Sequence, residues 1–382
     1  MRVLFVVAPG AGHVYPTVSV AQALSSAGHE ILYAHGGDVE SVSDAGMPVV
    51  DTTPGLDYVP VFNPPDGDGT DPLHADRGVQ FLADLFTRVS GVGIDGVLRV
   101  ARAWKPDLIM HVPLQGAARL AAEVLGVPCV ELPLGPDDCD PLLAVLLRQG
   151  LASHYDRHGV GGRSGTVGRL TVMPPSYFRD LSPSSATEHD VPMRYVPYHG
   201  GGAVPDWLLE PARRPRIAVT LGSIEPLWGG IAVLAPLFSS VGGVDAEFVL
   251  TVGGGDVSLL GELPPNVRTL DWVPLGPLLE TCSGVIHHGG STTTTTALAL
   301  GVPQCVIPNG RGPRINAEAL IAWGAGIRGE AGTVGADECH ELLENGKLRE
   351  RAAEVAAEMA EMPAPSELVV HLTDLAAGSH VG

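Results

Sequence analysis

Short apolar runs rich in β-branched residues alternate with amphipathic stretches along this chain, and they do so twice. Residues 3–8, 30–34, 49–51, 107–110 and 129–132 are too short for buried helices and read as strands, with helical stretches such as 16–27 and 116–125 between them. After a Gly/Pro-rich interval the scheme repeats, with strands expected at 217–220, 247–252, 267–270, 285–287 and 304–307. Strands that alternate with helices pair in parallel, and the crossovers cover both faces of the sheet. The expected fold is α/β, two doubly wound, Rossmann-like domains. A length of 382 residues fits two cores rather than one. The two halves also echo each other: Gly126-Val127-Pro128 and Gly301-Val302-Pro303 each close an Ala/Leu-rich helix ahead of a strand. Glycine suits the left-handed helix end, and proline bars continuation.

The stretch 197–215 is rich in glycine and proline, and the boundaries read from it are a first domain at 1–200, a linker at 201–214 and a second domain at 215–362. Residues 363–382 form a C-terminal helix and tail. Residues 54–72 read as a long loop inside the first domain. A formal charge of −20 excludes a nucleic-acid partner, since a phosphate backbone needs a basic stripe. The apolar start at 3–8 is cut by Pro9, Gly10 and Gly12 and reads as a strand, not a leader. No run approaches the length of a membrane span, so no membrane partner is expected. Five scattered cysteines without CxxC spacing fit a reducing cytoplasm and offer no thiolate metal site.

The segment with most chemistry is Val285-Ile286-His287-His288-Gly289-Gly290-Ser291-Thr292-Thr293. A buried strand ends, two glycines turn the chain, and a hydroxyl-rich helix begins. The start of such a helix presents N–H donors and the positive end of its dipole, which suits a phosphate. Gly290, Ser291, Thr292 and Thr293 supply that start, and His288 adds a donor. In the first half, residues 3–8 deliver Pro9-Gly10-Ala11-Gly12-His13 ahead of a helix expected to begin near Pro16. The third glycine of a dinucleotide fingerprint is missing there.

These segments, with Trp272-Val273-Pro274-Leu275, Gly301-Val302-Pro303-Gln304, Pro308, Asn316-Ala317 and Gly324-Ala325-Gly326-Ile327, resemble the donor-binding signature of family 1 glycosyltransferases of the GT-B fold. Gly10-Ala11-Gly12-His13, residues 193–198 and Met362-Pro363 extend the resemblance over almost the whole chain. Within the family it is similar to actinobacterial natural-product enzymes that use dTDP-deoxysugars, such as those of the calicheamicin pathway. The resemblance implies two domains facing across a cleft, the first binding an acceptor and the second a nucleotide sugar, with the C-terminal helix crossing back. It implies that Trp272 stacks on the base, that Val273 contacts its edge through the backbone, and that Ser223 and His288 lie beside the diphosphate. It makes His13 the general base, a role suited to an imidazole. The implied reaction is an inverting, in-line transfer of a deoxysugar from dTDP to a hydrophobic aglycone, without cofactor or metal, with a homodimer left open.

The chain departs from its family in two places. The acid that orients the base is replaced by Val112, beside His111, and Asp137, Asp138 or Asp140 are the carboxylates expected to reach in instead. The acid-glutamine pair that binds the donor sugar is replaced by Gly312-Pro313, and Arg311 or Arg314 beside them is expected to contact the remaining sugar oxygens or the diphosphate. Two other matches fail. Asp66-Gly67-Asp68-Gly69-Thr70 imitates a phosphatase motif but lacks the strand before it, and Asp138-Cys139-Asp140 imitates a metal-binding pair where a helix start already meets the diphosphate charge. A nucleotide-sugar 2-epimerase of the same fold and a non-catalytic accessory subunit are the rival readings.

Overall fold

The structure is a computed structural model and describes residues 1–62, 78–139, 141–160, 166–181, 190–222 and 230–378. The chain divides into two compact units. The first comprises Met1–Leu134, Asp138–Tyr198 and Met362–Gly382, and the second Gly135–Asp137 and His199–Glu361.

The first unit holds strands β1 (Arg2–Val6), β2 (Glu30–His35), β3 (Val49–Asp51), β4 (Leu108–His111), β5 (Cys129–Glu131), β6 (Thr166–Thr171) and β7 (Asp190–Pro192). They form one parallel sheet in the order β3-β2-β1-β4-β5-β6-β7. The second unit holds β8 (Arg216–Thr220), β9 (Glu247–Thr251), β10 (Val267–Leu270), β11 (Gly284–His287), β12 (Gln304–Val306) and β13 (Gly326–Arg328). Its parallel order is β10-β9-β8-β11-β12-β13. Both sheets are Rossmann-like and doubly wound, and in each the order reverses once, between β1 and β4 and between β8 and β11. At such a switch point the crossovers leave to opposite faces, and a crevice opens at the carboxyl ends of the strands.

Alternation within the second sheet shows why its central strands carry apolar residues toward both faces. Ile217 and Val219 face one core with Phe248, Leu250 and Ile286, while Ala218 faces the other with Val249 and Val285. The helix Val369–Gly378 belongs to the first unit, where a Cβ at Gly168 of β6 would touch Leu375 at 3.2 Å. The N–H of Arg194 donates to Pro363 O at 2.8 Å in the same unit.

Three strands, β6, β7 and β13, lie outside those expected. β7 and β13 have three residues each, and β6 carries Arg169, whose guanidinium makes a charged pair with Asp190 of β7 at 2.5 Å. The first helix is Ala11–Ser26, starting well before Pro16. Gly10, at φ +105°, turns the chain straight from the strand into the helix, and Pro16 is carried inside it. Part of the loop expected at 54–72 is helical, at Val59–Phe62, while residues 63–77, with the Asp66–Thr70 motif, lie outside the described residues. A helix of 27 residues, Gly78–Trp104, follows. No described helix is long and apolar enough to cross a membrane.

Candidate active site

In the second unit the switch point is built on β11, whose four residues are all buried. His287, its last residue, is structural. Its Nδ1 accepts the Gly289 N–H at 3.1 Å, and its Nε2–H donates to Gln304 Oε1 at 2.9 Å. Burial, with His288 adjacent, lowers its pKa to about 3. Gly289 has φ +95°, and a Cβ there would lie 2.8 Å from Val306 and 2.9 Å from Pro313 O, so only glycine fits. Asn316, fully buried, ties the same turn by donating from Nδ2 to Gly289 O at 2.8 Å.

The helix Ser291–Ala299 starts from Gly290, which has no side chain to cap it. No side chain of its N-cap residue meets the first-turn N–H groups, the kind of helix start at which anions bind. The imidazole of His288 lies over Gly222, just after β8, where a Cβ would come within 3.0 Å of the ring. The loops after the two switch strands thus meet at His288. Ser223, the next residue, lies outside the described residues. Thr292 is partly exposed, Thr293 is mostly buried, and Thr294, Thr295 and Thr296 are wholly inside.

Trp272 follows β10 and is 48 % exposed, unusual for an indole with core on both sides of its sheet. Gly202 backs it, with room for a Cβ only 3.5 Å from Trp272 and 3.3 Å from Pro274. Val273 turns its side chain into the core beside Leu278 and Ala297. His199, from the Gly/Pro-rich stretch 197–215, is buried in this unit. Its Nδ1 accepts the Gly276 N–H at 3.3 Å and its Nε2–H donates to Thr296 Oγ1 at 3.0 Å, while that hydroxyl donates to Thr292 O at 2.7 Å. Burial lowers its pKa to about 4.

His13 stands in the first turn after β1, edge-on to Phe86 at 6.0 Å. Its Nδ1 is buried and finds no hydrogen-bond partner among the described residues. Burial first, and then the neighbouring His35, lower its pKa to about 4. Val112 is wholly buried and brings no charge, and the His111 Nδ1–H donates to Val112 O at 2.8 Å.

The carboxylates expected beside His13 have other partners. Asp138 Oδ2 accepts the Leu134 N–H at 2.9 Å. Asp137 groups with the second unit, where Oδ1 accepts from Ser291 Oγ at 2.7 Å. Among the described residues the charged group that acts on His13 is His35, not a carboxylate. Asp140 lies outside the described residues. Ser291, expected on the diphosphate, gives its hydroxyl to Asp137. Arg311, Gly312 and Pro313 open the helix Arg311–Trp323, where proline in the first turn needs no N–H. Among the described residues no cluster of three or more His, Cys, Asp or Glu can hold a metal ion.

His199 carries the support of the site without having been singled out for it, and Asn316 and Gln304, which stood in the motifs of the resemblance, had no role assigned to them. Their signal was weak: a polar residue inside an apolar strand or helix, and a histidine in a glycine-rich stretch.

The comparisons with known proteins agree with this architecture. The chain matches the N-terminal domain of the erythromycin biosynthesis protein CIII-like family over residues 22–222 and its C-terminal domain over 235–375. It is 36% identical to the elloramycin glycosyltransferase ElmGT of Streptomyces olivaceus, over 97% of both chains. Among solved structures it is similar to the glycosyltransferase SnogD from Streptomyces nogalater, with 52% identity, a TM-score of 0.87, and 98% and 99% of the two chains covered. It is also similar to the glycosyltransferase SsfS6 of Streptomyces sp. SF2575 in complex with thymidine diphosphate, with 28% identity, a TM-score of 0.82, and 98% and 99% covered. The chain belongs to the erythromycin biosynthesis protein CIII-like family and is a glycosyltransferase of the GT-B, antibiotic-biosynthesis kind.

Proposed function

We propose that this enzyme moves a deoxysugar from a dTDP donor to a hydrophobic natural-product aglycone, with inversion, in a single in-line displacement. The observation that carries the reading is the uncapped start of the helix Ser291–Ala299 at a switch point, with His288 beside it. The diphosphate leaves toward the first-turn N–H groups and His288, where preorganised donors offset the developing charge. Residues 1–200 hold the acceptor and 215–362 the donor, joined by 201–214, and Trp272 offers its exposed face to the base. His13 takes the acceptor proton. With its pKa pushed to about 4, the imidazole is neutral at physiological pH and its lone pair is available.

Thymidine diphosphate in SsfS6 supports the nucleotide. The site itself adds a reason. The Thr296 side chain is buried, and its hydroxyl is engaged by His199 and Thr292, so no carboxylate stands there to hold a ribose diol. A 2′-hydroxyl would be buried without a partner, a cost of about 1–3 kcal/mol. Calorimetry is expected to show dTDP binding roughly tenfold or more tighter than UDP, and tighter UDP binding would contradict the reading. Gly312 and Pro313 offer no polar side chain to a hexose, so dTDP-deoxyhexoses should exceed dTDP-glucose in kcat/KM by about ten- to a hundredfold. Equal efficiencies would overturn that preference. Donor incubated alone should come back unchanged, whereas an epimerase would convert it.

A further inference from the structure

The short segment Gly135–Asp137 follows β5, a strand of the first unit, yet it groups with the second. Four fits fix it there. Ser291 Oγ donates to Asp137 Oδ1 at 2.7 Å, and the Asp137 N–H donates to Asn316 Oδ1 at 3.2 Å. A Cβ on Gly312 would lie 2.6 Å from Asp137 Oδ2, and a Cβ on Gly135 would lie 2.9 Å from Ser291 Cβ. Any side chain at 312 would expel the carboxylate. Asp137 thus stands between the first residue of the helix Ser291–Ala299 and the first turn of the helix Arg311–Trp323.

A carboxylate in that place has a restricted choice of ligand. It sits at the helix start that receives the diphosphate in the function proposed above, and like charges in a shielded site repel strongly. Its acceptors therefore suit hydroxyl donors. The hydroxylated group attached to the far phosphate of a nucleotide sugar is the hexose. We propose that Asp137 is the residue that binds the donor sugar, its carboxylate accepting hydrogen bonds from the hexose hydroxyls, and that Gly312 is glycine to make room for it. The inference rests on the donor-site reading. It gives the site one hexose-facing carboxylate, placed from a distant loop, where the helix Arg311–Trp323 itself supplies none. One carboxylate serves the few hydroxyls of a deoxysugar. Burial raises the Asp137 pKa, and the hydrogen bonds from Ser291 and Asn316 and the charge of Arg311 oppose that rise.

The test uses Asp137→Asn and Asp137→Ala in the full chain, with dTDP for calorimetry and a dTDP-deoxyhexose for kinetics. Both variants should bind dTDP within about threefold of the native enzyme, which also shows that they are folded. The Ala variant should lose about ten- to a hundredfold in kcat/KM for the sugar donor, and the Asn variant less, because the amide still accepts a hydrogen bond. Adding Gly312→Asp to Asp137→Gly should restore part of the loss by returning a carboxylate to the same space, whereas Gly312→Asp alone should be as damaging as the loss of Asp137. Unchanged kcat/KM in Asp137→Ala overturns the proposal. So does dTDP binding that tightens tenfold or more, since the carboxylate would then be a stand-in for the diphosphate. A native enzyme that does not bind dTDP would instead refute the donor-site reading itself.

Discussion

His13→Ala should lower turnover by about 10²–10⁴-fold while dTDP affinity stays nearly unchanged. The histidine lies in the first unit, after β1, and the nucleotide site proposed above lies in the second, so in that reading its loss removes a proton acceptor rather than a donor contact. The pH dependence follows from its surroundings. Burial and His35 hold the imidazole near a pKa of about 4, below the usual value of 6.5. A base works when unprotonated, so activity governed by His13 should be flat from pH 8 down to about 5 and show no limb near 6.5. A carboxylate beside the ring would favour the charged form and bring that limb up toward neutrality. Val112 supplies none. Normal turnover by His13→Ala at neutral pH would remove His13 from the mechanism.

Much of the fold was legible because its strands are buried on both faces. A strand such as Arg216–Thr220 presents Ile217 and Val219 to one core and Ala218 to the other, and so reads as an unbroken apolar run. The same rule hides β6, where Gly168 and the paired Arg169 interrupt the run, β7, where Asp190 and Pro192 flank a single valine, and β13, where Gly326 and Arg328 flank a single isoleucine. Pro16 misled for a different reason. Proline favours the first position of a helix, yet here Gly10 had already turned the chain and the helix absorbed the proline.

The candidate site was legible where its residues are adjacent in sequence. The turn after β11 carries its own glycines and its own helix start, and His13 follows β1 directly. What could not be read were pairings set only by the fold. Asp137 meets Ser291 across 154 positions and His199 meets Thr296 across 97. Nothing local in Gly135-Pro136-Asp137 or in a glycine-rich stretch announces a partner so distant. The substitution at Val112 was visible, and with it the loss of a carboxylate that would favour the charged form of His13, but the burial of that ring beside His35 was not.

Acidification from pH 6.5 toward 4 should destabilise the fold steeply, because buried histidines are held neutral in it, His111, His199 and His287 among them. Burial is the main cause in each case, lowering His111 and His199 to about 4 and His287 to about 3. Their geometry makes protonation costly. Nδ1 of His287 and Nδ1 of His199 both accept backbone N–H groups, from Gly289 and Gly276, and a proton on either nitrogen removes that bond. His111 lies near the Arg119 guanidinium, whose charge opposes a second one, although Glu131 partly offsets it. The unfolded chain takes up a proton at each histidine near pH 6.5, and the folded chain does so only near 4 or below. In that window the unfolded state binds more protons, so stability falls as pH falls, by up to about 1.4 kcal/mol per pH unit for each histidine. Three together approach about 4 kcal/mol per unit, against a total stability of about 5–15 kcal/mol. Denaturant titrations at pH 7.0, 5.5 and 4.5 should show the midpoint dropping between the first two and again, by a similar amount, between the last two. His199→Asn should flatten the slope by about one proton while lowering stability at pH 7. A midpoint that stays constant from pH 7 to 4.5 would mean that these imidazoles are not held neutral by burial.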